Sequence, residues 1–375
     1  MTFKIFHSSR TLTSSLAYTP RCQPRKPFHS FPLPIGQRKF SAIPRLFSSK
    51  EEDSTNVWRL TQDDESQYWH GYLTTRPKYT DDFYQIMYEY HAARSKNPSF
   101  SVAHDVGAGP GHVSLKLSER FSHVVVSDNN ENHIDYARSS LLQPDIPASR
   151  FSFDVAMGEE LGSRHPPASA DLVACALMFP LMDTQAALQS FRSLLKPNGT
   201  LAIWFYGRAH FSEAEYASTC QPLLNAIIDH HFGGVIKGGG PEHQAGWKRA
   251  ADGMASWLDY IPFSEAQWGS VERHKWNSSW TTLPFFGQPA CDFPVEPKSS
   301  VTENELVLKK EDRELWRKDW TVSELRKFVE YIFPFQSMDE EPVKPLWEQL
   351  QANMGGPHVK RAFSWPALLI MASKK

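Results

Sequence analysis

The sequence predicts an α/β fold: a doubly wound, mostly parallel sheet of seven strands, with a helical arm before it and a helical lid inserted before the last strand. Three observations predict it. A glycine-rich turn, Gly107, Ala108, Gly109, Pro110 and Gly111, joins an apolar run (Phe100, Val102, Val106) to a helical pattern (Val113, Leu115, Leu117), as at the first strand-to-helix turn of a doubly wound sheet. Short apolar runs then alternate with helical patterns, which is the signature of helices packed on a parallel sheet. The run from Asp171 to Met178 is apolar from Leu172 onward, as a central strand buried on both faces must be.

The arm comes first. Tyr68, Trp69, Gly71, Tyr72, Arg76, Pro77 and Tyr79 make a dense aromatic and basic patch, and Thr80 or Asp81 is placed to cap a helix carrying Phe83, Tyr84, Met87, Tyr88 and Tyr90. Phe83 and Met87 are expected to pack on the sheet. After the glycine turn, His123–Ser127 reads as the second strand with Asp128 at its carboxyl end. Asp128 is expected either to accept the two hydroxyls of a ribose, as acids do there in dinucleotide folds, or to cap the helix Glu131–Leu142 together with Asn129. Phe151–Val155 is the third strand, Asp171–Met178 the fourth, Gln185–Leu195 a helix, Lys196–Gly199 its stop and turn, and Thr200–Tyr206 the fifth strand.

Glu213–Phe232 reads as one long helix, Gly233–Gly240 as a flexible break, and Val271–Trp276 and Ala367–Ala372 as two further strands. The segment between those strands is far longer than a hairpin turn. It is rich in Trp and Phe, Phe335 among them, and holds amphipathic stretches at Glu303–Trp316, Thr321–Phe333 and Val343–Met354. A helical lid at about 278–364 is expected from it, with most of its aromatics serving as core.

Composition narrows the partners. A net charge of −2 gives no support to a nucleic-acid partner. The longest apolar run, Leu172–Met182, is too short to span a bilayer. Four dispersed cysteines, Cys22, Cys175, Cys220 and Cys291, suit a reducing compartment, and neither a C-x-x-C pair nor an H-x-x-x-H helix suggests a metal. Residues 1–55 stand apart from the domain expected over 56–375. Their first fifty positions hold no acid and many Ser, Arg and Lys, with Lys4, His7 and Arg10 three apart. They read either as a mitochondrial transit peptide or as a disordered tail or misassigned start, which leaves a cytoplasmic location as the alternative.

The glycine spacing is G-x-G-x-G, not the dinucleotide G-x-G-x-x-G, and Asp105 lies two residues ahead of it. A carboxylate there would repel a pyrophosphate and suit an ammonium or sulfonium. The stretch Asp105-Val-Gly-Ala-Gly-Pro-Gly111 resembles the glycine motif of class I S-adenosylmethionine-dependent methyltransferases, whose fold is Rossmann-like. Tyr72-Leu-Thr-Thr-Arg76-Pro77-Lys-Tyr79 resembles the Y-x-x-x-R-P-x-Y segment of trans-aconitate methyltransferase-like members, where it covers the bound cofactor. Leu194-Leu-Lys-Pro-Asn-Gly-Thr-Leu-Ala-Ile-Trp204 resembles that family's entry to the fifth strand.

The resemblance implies S-adenosylmethionine as cofactor, held by Tyr72, Arg76, Asp105, Gly107, Ala108, Gly109, Gly111, Asp128, Asn129, Met157, Gly158 and Glu159. Arg76 would pair with a carboxylate of cofactor or substrate. Met157 stands where the family usually has an acid facing the adenine, so packing on the ring is expected instead. The resemblance also implies that the final strand is inserted antiparallel beside the fifth.

A sulfonium methyl is strongly electrophilic, so alignment is the main task. A carboxylate acceptor needs no base, whereas a hydroxyl does. His210 and Tyr206, with His70 and Tyr68, are the base candidates by position, and the His-Trp pair common in the family is absent around Phe179–Asp183. The expected activity is methyl transfer to a carboxylate or hydroxyl oxygen of a small molecule. The alternatives are a non-catalytic binding or assembly factor on the same fold and, behind it, an NAD-type oxidoreductase.

Overall fold

The computed structural model describes residues 62–334 and 336–375; the readings of residues 1–55 and of Phe335 fall outside them. The arm is two helices, α1 (Gln62–Thr75) and α2 (Asp81–Ala92), with Thr80 at the N-cap position of the second. Phe83, Tyr84 and Met87 bury the inner face of α2 as expected.

The alternating pattern then becomes β1 (Val102–Val106), α3 (His112–Ser118), β2 (His123–Asp128), α4 (Glu131–Leu141), β3 (Phe151–Val155), α5 (Leu161–Arg164), β4 (Ala170–Ala176), α6 (Thr184–Leu194) and β5 (Leu195–Tyr206). The cap of α4 is neither Asp128 nor Asn129 but Asn130, whose side chain accepts from the Asn132 amide. Lys196–Gly199, expected as a free turn, is an irregularity inside β5: Asn198 adopts φ 64°, and the register to β4 shifts between Ala170 and Leu172.

The next segment departs most from expectation. The long helix over Glu213–Phe232 is two helices, α7 (Ala214–Thr219) and α8 (Gln221–Lys237), after a short β6 (His210–Phe211). Pro222 is the cause, because proline lacks the N–H and crowds the preceding turn, so a helix can begin at that point but not run through it. Gly233 and Gly234, expected in a break, lie within α8, where Gly233 faces the Ala290 backbone closely enough that a Cβ would sit 3.5 Å from its carbonyl. The sequence expectation omitted α9 (Pro241–Ala255), which starts on a proline and buries Trp247, Ala250, Ala251 and Met254 on one face.

β7 (Trp268–Trp276) is followed by β8 (Leu306–Lys310), β9 (Lys318–Trp320), α10 (Val322–Glu330), α11 (Val343–Asn353), β10 (Arg361–Ser364) and β11 (Ala367–Lys374). Two of the three expected lid helices exist. α10 opens with a capping box in which Thr321 and Glu324 bond each other's backbone amides. Glu303–Trp316 is not a helix. Its Leu-Val-Leu core pairs parallel with β7 from Glu272↔Leu306 to Trp276↔Lys310, and the unpaired groups of that sheet edge outweigh the local pattern.

The main sheet therefore has eight strands, not seven, in the order β3-β2-β1-β4-β5-β11-β7-β8, and β6, β10 and β9 form a separate sheet of three. Pairing is parallel from β3 through β5 and antiparallel on both sides of β11. Both β5 from Gly199 onward and β11 through Ser373 are buried throughout, as a strand covered on both faces requires. On β7 the burial of charge is compensated. Arg273, fully buried, donates from Nε to Glu305 at 2.6 Å and from Nη1 and Nη2 to the Leu258 and Ile261 carbonyls. No helix among the described residues is long and apolar enough to cross a membrane.

Candidate functional site

β1 delivers the chain into the glycine turn with Gly107, Gly109 and Gly111 at φ 69°, 51° and 82°. The left-handed region is closed to most side chains and open to glycine. The three positions serve different contacts. A Cβ on Gly107 would lie 2.5 Å from Met178 Cγ, and one on Gly109 3.7 Å from Trp69. One on Gly111 would lie 2.9 Å from Leu141 Cδ1, so that glycine lets α3 close on α4. The turn is pinned to β2: the Gly107 and Ala108 amides donate to the Ser127 carbonyl, and the Gly109 amide donates to Asp128 Oδ2 at 3.0 Å.

A cleft of about 870 Å³ opens over this turn, at the carboxyl ends of β1, β2 and β4. Of the residues expected to hold a cofactor, Tyr72, Asp105, Gly107, Ala108, Gly109, Asp128 and Asn129 line it together. Tyr79, from the segment expected to cover the cofactor, also lines it, and Trp69, His112, His133 and Met178, which were not among the expected site residues, add to the wall. Four buried atoms on this wall have no hydrogen-bond partner: Asp105 Oδ1, Trp69 Nε1, His112 Nδ1 and His133 Nε2. Buried polar atoms are rarely left so, and here they ring one cavity.

The two carboxylates differ. Asp128 Oδ1 accepts from the Asn130 amide at 3.0 Å and from His133 Nδ1 at 3.2 Å. Burial alone would raise its pKa, but His133 and the two backbone amides more than offset it, and the net shift is downward. Asp128 thus stays ionised, with lone pairs left for a diol. Asp105 is buried and shares only Oδ2, with the Ser114 hydroxyl at 2.6 Å. Burial first, with the Asp128 charge adding, pushes it up to about 7 against that hydrogen bond. An incoming cation would relieve the strain on this carboxyl. Acid, diol acceptor, glycine cradle and aromatic walls together fit S-adenosylmethionine.

Met157, Gly158 and Glu159 do not line the cleft. They form a turn fastened to α6: Ser190 Oγ donates to the Gly158 carbonyl at 2.7 Å, and Glu159 accepts from the Asp183 amide at 2.9 Å. Burial raises the Glu159 pKa. His210 lines neither this cleft nor its neighbour; its ring stands edge-on to Trp280, and burial lowers its pKa. Tyr206 is buried and its phenol is raised, first by burial, so it is held neutral. His112 is likewise kept neutral, burial pushing it down to about 4.

A second cavity, about 880 Å³, meets the cleft along Tyr72, Leu177, Met178 and Leu181. Leu177 holds φ 64°, an uncommon conformation for a branched residue, at the point where the two cavities join. The far walls come from α8 (Phe232, Val235), α9 (Trp247, Ala250, Met254) and the segment after α10 (Ile332, Phe333). Among the described residues Arg76 is the one charged residue lining it. It does not line the cofactor cleft. Among the described residues one trio, His230, His231 and Glu340, gathers three donor atoms within 4.8 Å of one another, and none of the three lines either cavity.

Residues 103–199 match the family model described as a methyltransferase domain. The chain is 40% identical to methyltransferase pgmE of Aspergillus terreus, over 87% of this chain and 99% of that one. It is 35% identical to methyltransferase cfoB of Aspergillus candidus (83% and 95% covered) and 34% identical to methyltransferase ptaI of Pestalotiopsis fici (82% and 93% covered).

Proposed function

Because this chain belongs to the class I S-adenosylmethionine-dependent methyltransferases, we propose that it methylates an oxygen atom of a small apolar molecule seated in the cavity beside Leu177 and Met178. The observation that carries the reading is the chemistry of that cavity's wall. It is aromatic and aliphatic apart from Arg76 and the Tyr72 phenol, and it presents no carboxylate. An ammonium-bearing acceptor would meet a like charge with nothing to balance it. A neutral or anionic oxygen nucleophile meets no such penalty.

When bound, the cofactor supplies a methyl carbon already activated by the adjoining sulfonium. The chain's own residues bind and orient. Asp105 receives the cationic amino group, Asp128 the ribose hydroxyls, and Gly107, Ala108 and Gly109 the backbone approach, with Trp69 and Tyr72 covering them. Leu177, Met178 and Leu181 form an apolar collar between the two cavities that keeps water from the reacting atoms. Alignment of this kind can supply ~7–11 kcal/mol of barrier lowering. Among the described residues no strong base faces the collar: Tyr206 lines neither cavity and is held neutral, and His112, pushed down to about 4, accepts a hydrogen bond better than it takes a proton. The acceptor oxygen is therefore one that ionises readily by itself, a carboxylate or an acidic phenol.

The test is methyl transfer from labelled S-adenosylmethionine to size-matched phenols, carboxylic acids, amines and thiols of one aromatic scaffold. Transfer confined to oxygen supports the reading. Transfer to the amine or thiol in preference defeats it.

A further inference from the structure

Arg76 is 7% exposed, and its guanidinium lies 4.6 Å from the Tyr72 ring centroid and 5.5 Å from that of Phe328. Its one hydrogen bond is from Nη1 to the Tyr206 hydroxyl at 3.5 Å, and Nε has no partner. Among the described residues no carboxylate pairs with it, although the fully buried Arg273 is paired with Glu305 and the partly buried Arg208 with Asp229. A buried guanidinium without a counter-charge is costly to the free protein. It opens onto the apolar cavity and onto a polar groove whose charged lining is Lys78, Lys116, Lys318 and Glu119; the one carboxylate there, Glu119, is paired with Lys116 and not with Arg76.

We infer that Arg76 is an anchor for a carboxylate carried by the acceptor, and that the methyl group goes to a different atom, a hydroxyl oxygen at the collar. This rests on the reading that the apolar cavity holds the acceptor. Two observations separate the anchored group from the reacting one. Arg76 lines the apolar cavity and not the cofactor cleft, and Tyr72, which lines both, carries the guanidinium over its ring. The energetics agree. A cation paired with the reacting oxygen would hold the ground state and lose its partner's charge as the bond forms, which slows the step. A cation paired with a spectator carboxylate keeps its partner throughout.

The acceptor's hydroxyl loses its proton to solvent before it is seated at the collar, where water is kept out. The resulting oxygen anion then bonds the methyl carbon while the carbon–sulfur pair stays on sulfur, and the anchored carboxylate is unchanged. The acceptor class is an apolar, ring-bearing hydroxy acid, and the product is an ether that is still an acid.

The experiment compares 6-hydroxy-2-naphthoate with 2-naphthol, which shares its ring and hydroxyl but lacks the acid. Binding is measured by calorimetry to the full chain saturated with S-adenosylhomocysteine. The acid should bind at least about ten-fold tighter, as a charge-assisted pair implies. Arg76→Met should erase that preference while the affinity for S-adenosylhomocysteine stays unchanged, and Arg76→Lys, which keeps the charge, should retain part of it. Equal affinity of the two probes for the wild-type protein, or no binding of either, overturns the inference without touching the methyltransferase assignment. So does a loss of S-adenosylhomocysteine binding in both Arg76 variants, which would make the residue a cofactor ligand, or a methyl ester as the product. The wild-type comparison stands even where a variant fails to fold. A failure of the oxygen-methylation reading shows itself separately, as transfer to nitrogen or sulfur in the scaffold series.

Discussion

The amide of Gly109 donates to Oδ2 of Asp128 across 3.0 Å, so the glycine turn and the acid at the end of the second strand are held as one unit. Asp128→Asn should therefore loosen the turn as well as remove the diol acceptor. Hydrogen bonds to charged groups are worth about 1.5–3 kcal/mol, so calorimetry should show S-adenosylmethionine affinity falling by about ten-fold or more. An unchanged affinity would remove Asp128 from the site.

Asp105 should make both stability and binding depend on pH. Its carboxyl titrates at about 7 in the folded protein against an ordinary 3.8. Between those values the folded state holds a proton that the unfolded state has released. Stability of the free protein then falls as pH rises from about 4 to about 7, and levels off above. Cofactor binding should show the reverse trend, because a cation favours the ionised carboxylate: affinity rises to about pH 7 with release of a proton. Thermal melts and calorimetry in buffers of differing ionisation enthalpy read the two effects. Asp105→Asn should flatten both.

Gly107→Ala places a Cβ 2.5 Å from Met178 Cγ at φ 69°. Backbone strain of this kind costs about 1–3 kcal/mol. The loss should appear in the urea midpoint and, because Met178 must move, in cofactor affinity. A variant as stable and as tight-binding as the parent would mean that the turn is looser than its geometry implies.

Ala250 lines the apolar cavity and not the cofactor cleft. Ala250→Leu should raise KM for ring-bearing acceptors by about ten-fold, with S-adenosylhomocysteine binding unchanged; overpacking should lower stability by about 1–3 kcal/mol. Equal losses for cofactor and acceptor would argue that the two cavities are not separate sites.

Arg273→Met removes the fully buried partner of Glu305 and leaves the Leu258 and Ile261 carbonyls unpaired. Breaking a buried ion pair by removing one partner costs about 3–5 kcal/mol. Urea unfolding should show that loss, while cofactor affinity below the transition stays near the parent value because Arg273 lies outside the cleft.

The parallel half of the sheet was most legible where a strand is buried on both faces and reads as a continuous apolar run, as in β2 and β4. The same local logic located Asp105, the glycines and Asp128, which lie within or beside the strands that carry them. β8 was not legible: Leu306, Val307 and Leu308 are exposed, and the partner that makes them a strand, β7, lies far away in sequence. α9 carried a readable spacing in Trp247, Ala250 and Met254, hidden by the glycines before and within it. His133 gave no sequence signal, since only the turn after β2 brings its Nδ1 to Asp128. Arg76 was singled out for its motif, but whether it faces cofactor or acceptor depends on where the Tyr72 ring stands.

β11 is synthesised after every other strand of the main sheet, yet it sits third from the β8 edge, between β5 and β7. A nascent chain thus carries β5, with its apolar Leu201–Tyr206 stretch, beside an unfilled slot until residue 367 has been made. β7 and β8 meanwhile can pair with each other but not join the sheet. Folding of the whole sheet is therefore post-synthetic in order, and long-range pairing of this kind is slow and prone to association through open edges. The topology is that of a clasp, with one late strand joining what comes before it in the chain on both of its sides, and the yield in a cell should depend on how well the open slot is shielded before that strand arrives.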